Sequence, residues 1–166
     1  GILGKKIATA QVLWARTVAE PEAGEFQARI TGQEILQINR RGKFLFLNLT
    51  RDALLVHLRM SGDLFVEQKD SDLAPHHRVI LELEDGWRVA FNDARKFGRM
   101  WLVADPQSVL GNLGPEPFDR SLEDDGFYNR LKDSHRQLKP LLLDQHFIAG
   151  LGNIYTDEAL HLARLH

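Results

Sequence analysis

Between Lys6 and Val103 the chain passes through short apolar runs that alternate too quickly for helices: KIATAQVLW, EILQINRRGKFLFLNL, ALLVHLRMSGDLFVEQ, RVILELEDGWRVAFN and GRMWLV. Turn-forming clusters separate them at close intervals, notably Ser61-Gly62-Asp63 and Glu84-Asp85-Gly86. Side chains along a strand change face at every residue, and tight turns join strands that run antiparallel. The spacing therefore predicts an antiparallel sandwich or barrel rather than βαβ units. In FLFLNL, Phe44, Phe46 and Asn48 alternate with Leu45, Leu47 and Leu49, which predicts a strand covered on both faces over most of its length.

After LGNLGPEPFD the pattern changes, with Pro115 and Pro117 punctuating a linker. SLEDDGFYNRLKDS reads as a helix capped by Ser121, with acids in the first turn where the helix dipole favours them. LKPLLLDQHFIAGLGNIYTDEALHLARLH reads as a short helix, a tight turn and a second helix. Helical spacing puts Ile154, Ala159, Leu160 and Ala163 of that second helix on or near one face. No internal repeat is visible, and a two-helix end reads as part of a larger helical domain. The expected class is α+β, with an antiparallel β-sandwich over residues 1–113 and the start of a helical domain over 114–166.

Composition narrows the function. At 43% hydrophobic and 27% charged residues, the chain is expected to fold around a packed core. It has no apolar run of membrane-spanning length and no signal-peptide pattern, so a soluble, cytoplasmic protein without a membrane partner is expected. The absence of cysteine removes disulfides, thiol catalysis and cysteine-ligated zinc from these residues. A net charge of −2 argues mildly against a polyanionic partner.

Four clusters pull the other way. In NRRGKFLFL, Arg40, Arg41 and Lys43 flank Gly42, either as a solvated hairpin turn or as a basic grip. HLRMSG puts Met60 in a turn, an odd place for a side chain that usually fills cores. NDARKFGRM sets Arg95, Lys96 and Phe97 before Gly98, and the Phe either folds back onto the sheet or wedges into a partner. GLGNIY, Gly150 to Tyr155, places poor helix formers where a helix begins. There they either end a turn and cap the helix, or let an anion approach the free N–H groups of its first turn. Together, apolar wedges, a guanidinium and nearby cations suit a surface that pushes a nucleotide out of a duplex.

These motifs carry a family resemblance. LGKKI, RRGKFL, HLRMSG, DARKFG, LGPEPF, LKPLLLDQ and GLGNIYTDEAL occur in the order in which the formamidopyrimidine-DNA glycosylases carry them, so nearly the whole chain resembles that family. The resemblance implies a β-sandwich followed by a helix-two-turn-helix domain and a zinc ribbon. It implies base-excision repair of 8-oxoguanine and ring-opened purines in double-stranded DNA, with strand nicking, by a monomer. Lys43 matches the family's active-site lysine. Met60 matches the residue filling the gap left by the flipped base, Arg95 the arginine facing the orphaned cytosine, and Phe97 the wedge beside it. His76, Lys96, Lys139 and Asn153 match residues at or near the phosphates, and Arg136 is a looser match.

The departures lie at the ends. Family members begin with a proline, whose amine attacks the sugar C1′, followed by a glutamate as acid–base partner. This chain begins at Gly1 and has no cysteine for a zinc ribbon. It therefore reads as an internal fragment, inactive by itself and without cofactor, with Zn2+ expected only in the full-length protein. An endonuclease VIII-like enzyme for oxidised pyrimidines is the alternative within the superfamily, although the Arg and Phe of DARKFG favour the purine branch. A non-catalytic damaged-DNA-binding module is the alternative outside it.

Overall fold

The alternating runs become nine β-strands in the computed structural model, whose described residues are 1–123 and 125–165. They are β1 (Ile7–Val12), β2 (Val18–Glu20), β3 (Ile35–Arg41), β4 (Phe44–Leu49), β5 (Ala53–His57), β6 (Gly62–Gln68), β7 (His77–Leu83), β8 (Trp87–Asp93) and β9 (Arg99–Val103). One sheet has the order β1-β7-β8-β6 and the other β2-β9-β5-β4-β3. Inward residues of both sheets meet in one core, with Ile7, Val79, Leu81 and Phe91 from the first and Ile35, Leu54, Val56, Met100 and Leu102 from the second. The sandwich is as expected, with one parallel pair, β2 with β9, among antiparallel ladders.

In β4, Leu47 and Leu49 are buried while Phe44, Leu45, Phe46 and Asn48 are half-buried, so both faces are covered in part. Helix α1 (Ala23–Ile30) is absent from the sequence expectation. It buries only Phe26 and Ile30, an i, i+4 pair, and a single repeat is too short a period to read.

His77, at the start of β7, is 3% exposed, and its Nδ1 has no hydrogen-bond partner among the described residues. Burial lowers its pKa, with Arg88 adding to the effect and Glu67, 3.7 Å from Nε2, opposing it. Below its ordinary pKa of about 6.5 the unfolded chain therefore binds a proton that the native chain refuses, and stability falls with pH. One titrating group contributes a slope of at most about 1.4 kcal/mol per pH unit, so the His77 component stays below that bound. Denaturant titrations of the parent and His77→Gln between pH 7.5 and 5 check this, since only the parent should carry that component.

Two compact units divide the chain: Gly1–Arg40 with Phe44–Ser108, and Arg41–Lys43 with the chain from Val109 onward. A short helix, α2 (Gln107–Leu110), leads into the second, which carries α3 (Gly126–Lys132), α4 (Leu138–Leu143) and α5 (Asn153–Leu162). The helix expected from Ser121 is corrected. Asp119 accepts hydrogen bonds from the Ser121 N–H and hydroxyl, a 3-10 turn spans Arg120–Leu122, and α3 begins only at Gly126. A Cβ at Gly126 would collide with the Ser121 carbonyl, so the chain passes there only as glycine. Ile154 is also corrected. It is 76% exposed, whereas Thr156 is buried and Leu160 half-buried. Six residues of helix set Ile154 about 120° around the axis from Leu160, off the inward face.

Candidate nucleic-acid interface

In the sandwich unit two turns present the expected wedge residues. The β5–β6 turn closes with the Gly62 N–H donating to the Leu58 carbonyl at 2.9 Å, and a Cβ at Gly62 would strike that same carbonyl. Met60 at its tip is 73% exposed. In the β8–β9 turn Phe97 is 49% exposed, and the Arg95 guanidinium carbon lies 5.1 Å from its ring centroid. Arg59 and Lys96 hold left-handed backbone, with φ of +57° and +61°. Non-glycine residues rarely adopt it.

Asp93 joins the two turns. Its carboxylate accepts from the Ser61 hydroxyl at 2.5 Å, the Gly98 N–H at 2.7 Å and the Arg95 N–H at 3.2 Å. Desolvation pushes this buried carboxyl's pKa up, yet the hydrogen bonds from Ser61, Gly98, Arg95 and Phe97 together outweigh it and hold the group below the usual aspartate range. Gly98 is required on steric grounds, because a Cβ there would enter the buried Phe91 ring.

His76 lies beside this cluster. Its carbonyl accepts from the Asp93 N–H at 2.9 Å, and its ring stands 3.4 Å from Arg78, which itself donates to the Asp93 carbonyl at 2.8 Å. Lys96 points elsewhere, with its ammonium 3.9 Å from the centroid of the Trp14 ring. Cation–π contacts of this kind at exposed sites contribute about 0.5–1 kcal/mol. Lys96→Ala is therefore expected to lower stability by about that amount, measured by thermal unfolding with Trp14→Leu as the second arm of a double-mutant cycle.

The second unit builds its site around Lys43. Gly42, with φ of +56°, donates its N–H to Glu116 at 2.5 Å, and Arg41 donates to the Gly114 carbonyl at 2.7 Å. A Cβ on Gly152 would lie 3.5 Å from the Lys43 Nζ, so the lysine ends beside the start of α5. Its side chain is exposed to solvent, yet enough protein surrounds the ammonium for desolvation to lower its pKa.

Gly152 is the N-cap of α5 and Asn153 its first residue. Among the described residues no side chain caps the helix and its first turn has no acid, so its first N–H groups have no carboxylate of that turn or cap as a partner. Gln145 fixes the approach, donating to the Leu143 and Leu151 carbonyls at 2.9 Å each and accepting from Gly150 N–H at 3.0 Å. Gly150, at φ of +96°, supplies the left-handed turn. Lys139 pairs with Asp157 at 2.6 Å and Arg136 with Asp144 at 2.6 Å. Exposed pairs like these contribute little, so neither cation is held firmly by its carboxylate.

Comparison with known proteins decides the family. The model of the formamidopyrimidine-DNA glycosylase N-terminal domain matches residues 1–100, and that of the formamidopyrimidine-DNA glycosylase H2TH domain matches 113–166. The chain belongs to the formamidopyrimidine-DNA glycosylase family. It is 42% identical over 166 residues to the glycosylase of Protochlamydia amoebophila, covering 99% of this chain and 60% of that protein. It is 43% identical over 167 residues to that of Pelotomaculum thermopropionicum, covering 98% and 60%. The Lactococcus lactis glycosylase in complex with Fapy-dG-containing DNA matches with a TM-score of 0.87 at 34% identity, over 99% of this chain and 63% of that one. The same enzyme bound non-covalently to AP-site DNA matches with a TM-score of 0.90 at 34% identity, over 99% and 65%. This glycosylase-family chain thus spans about 60% of the length of the curated relatives it matches.

Sequence reasoning missed the residues that hold these turns: Asp93, Ser61, Arg78, Trp14, Glu116 and Gln145. Arg78 had a usable signal, since it stands only two residues from His76, whose ring it meets at 3.4 Å. Among the described residues no three His, Asp or Glu side chains converge so as to hold a metal, and no step is derived through zinc. No helix among them is long and apolar enough to cross a membrane.

Proposed function

We propose that this chain supplies the lesion-extruding turns and the phosphate-binding helix start of a bifunctional DNA glycosylase/AP lyase that excises oxidised purines, 8-oxoguanine and formamidopyrimidines, from duplex DNA. The observation that supports it is the pair of turns joined at Asp93, exposing Met60 on one and Phe97 with Arg95 on the other. Extruding a base leaves a gap and an unpaired partner. Met60 fills the gap, Phe97 wedges beside it, and the Arg95 guanidinium satisfies the orphaned base. Lys43 contacts the damaged nucleotide and assists strand cleavage. Asn153 and the first N–H groups of α5 hold a phosphate, joined by Lys139 once it leaves Asp157, and His76 in the sandwich unit lies at or near the phosphates around the lesion. Lys96 and Arg136 contribute to phosphate binding after leaving Trp14 and Asp144. The full-length protein acts as a cytoplasmic monomer, with zinc bound outside these residues.

Arg95 tests the reading. In the full-length protein, Arg95→Ala should cost about 1–3 kcal/mol of discrimination for cytosine opposite 8-oxoguanine, the value of one good base contact. Single-turnover excision opposite each of the four bases measures it. Equal losses opposite all four would assign Arg95 to phosphate binding, and faster excision of 5-hydroxyuracil than of 8-oxoguanine by the parent would move the protein to the oxidised-pyrimidine class.

A further inference from the structure

Ser61 and Asp93 lie 32 residues apart in sequence, yet one carboxylate oxygen of Asp93 receives both the Ser61 hydroxyl and the Arg95 N–H, while the other receives Gly98 N–H. Asp93 is 0% exposed. Burying a charge is unfavourable unless it is fully hydrogen-bonded, so such a group fixes geometry more tightly than apolar packing would. Each anchored donor stands one or two residues from a probe: Ser61 follows Met60, and Arg95 and Gly98 bracket Phe97. The anchor opposes a real tendency to relax. Arg59 beside Met60 and Lys96 beside Phe97 both hold left-handed backbone that their side chains disfavour. Arg78, donating to the Asp93 carbonyl at 2.8 Å, keeps the strand end itself in place.

We propose that Asp93 is a positioning residue for damage recognition, its buried carboxylate locking the Met60 turn to the Arg95–Phe97 turn so that the two probes enter DNA at one fixed separation. The inference rests on the wedge roles given above, but its first consequence is measurable without DNA. The chain has no cysteine, so Met60→Cys and Phe97→Cys accept a pair of spin labels without background. Pulsed EPR of the doubly labelled chain should give a narrow distance distribution. Asp93→Asn, which turns one acceptor into an amide donor facing an N–H, should at least double its width. Ser61→Ala should broaden it less, and Ser61→Thr, which keeps the hydroxyl, should restore it. Should Asp93→Asn fail to fold, the Ser61 pair carries the same test.

The second arm uses the full-length protein with native Met60 and Phe97 and a duplex carrying 2-aminopurine beside 8-oxoguanine. Asp93→Asn should slow the fluorescence rise that accompanies extrusion at least tenfold, while affinity for undamaged DNA stays within twofold. An unchanged distance distribution in Asp93→Asn and Ser61→Ala, or unchanged extrusion in Asp93→Asn, overturns the proposal. If the parent itself extrudes no lesion, the wedge reading fails instead, whatever the distances show.

Discussion

Lys43→Ala in the full-length protein is expected to slow strand cleavage at 8-oxoguanine sites about a hundredfold, the lower range for loss of a positioned proton-transfer group. The fold holds this side chain on a turn that cannot drift, because Gly42 is tied by its N–H to Glu116 and Arg41 to the Gly114 carbonyl. Desolvation lowers the Lys43 pKa, which favours the neutral amine. An amine acting as a proton acceptor works only when deprotonated. The cleavage rate should therefore rise with pH through the Lys43 pKa, with its midpoint below that of a free lysine. Single-turnover rates from pH 6 to 9.5 measure this limb, and Lys43→Ala should flatten it. Lys43→Arg, cationic at every pH tested, should not recover the rate. Recovery by arginine would assign Lys43 a purely electrostatic role.

For Lys43 the residues of RRGKFL left a solvated turn and a basic grip both open, and only the family resemblance proposed an active-site lysine there. The sandwich was legible because period-two alternation repeats over many strands, so one weak segment does not spoil the pattern. Legibility failed where the determinant was a long-range polar contact. Nothing in DARKFG announces that Asp93 is buried, since its charge is made tolerable by Ser61 from a turn 32 residues away. Lys96 lies within a basic motif, yet its ammonium rests on Trp14, a partner fixed by tertiary packing. The helical unit failed locally. Ser121 has the right identity for a cap, but Asp119 engages its hydroxyl and the close pass at Gly126 delays the helix. Gly150, by contrast, was readable as a turn residue, while the reason the turn is rigid, Gln145, was not.

Met60→Ala and Phe97→Ala are each expected to slow lesion extrusion roughly tenfold to a hundredfold, from the loss of about 1–3 kcal/mol of stacking. Affinity for undamaged DNA should hardly change, because neither side chain carries charge and non-specific binding comes from phosphate contacts. The structure also predicts what should not happen. Met60 is 73% exposed and Phe97 49%, and neither belongs to the core shared by the two sheets, so truncation should leave thermal stability within about 0.5 kcal/mol of the parent. The Phe97 value is the stricter test, since removing the ring also removes the surface on which the Arg95 guanidinium rests at 5.1 Å. Phe97→Leu keeps an apolar wedge without an aromatic face, and it should recover part of the extrusion rate but not cytosine discrimination. The double variant should lose less than the sum of the two singles, because both probes stabilise the same extruded state and share the anchor at Asp93. Stopped-flow 2-aminopurine fluorescence with parallel thermal unfolding decides it. A drop in stability of several kcal/mol for either variant, with extrusion reduced only in proportion to the folded fraction, would return that side chain to the sandwich and remove it from the DNA-facing surface.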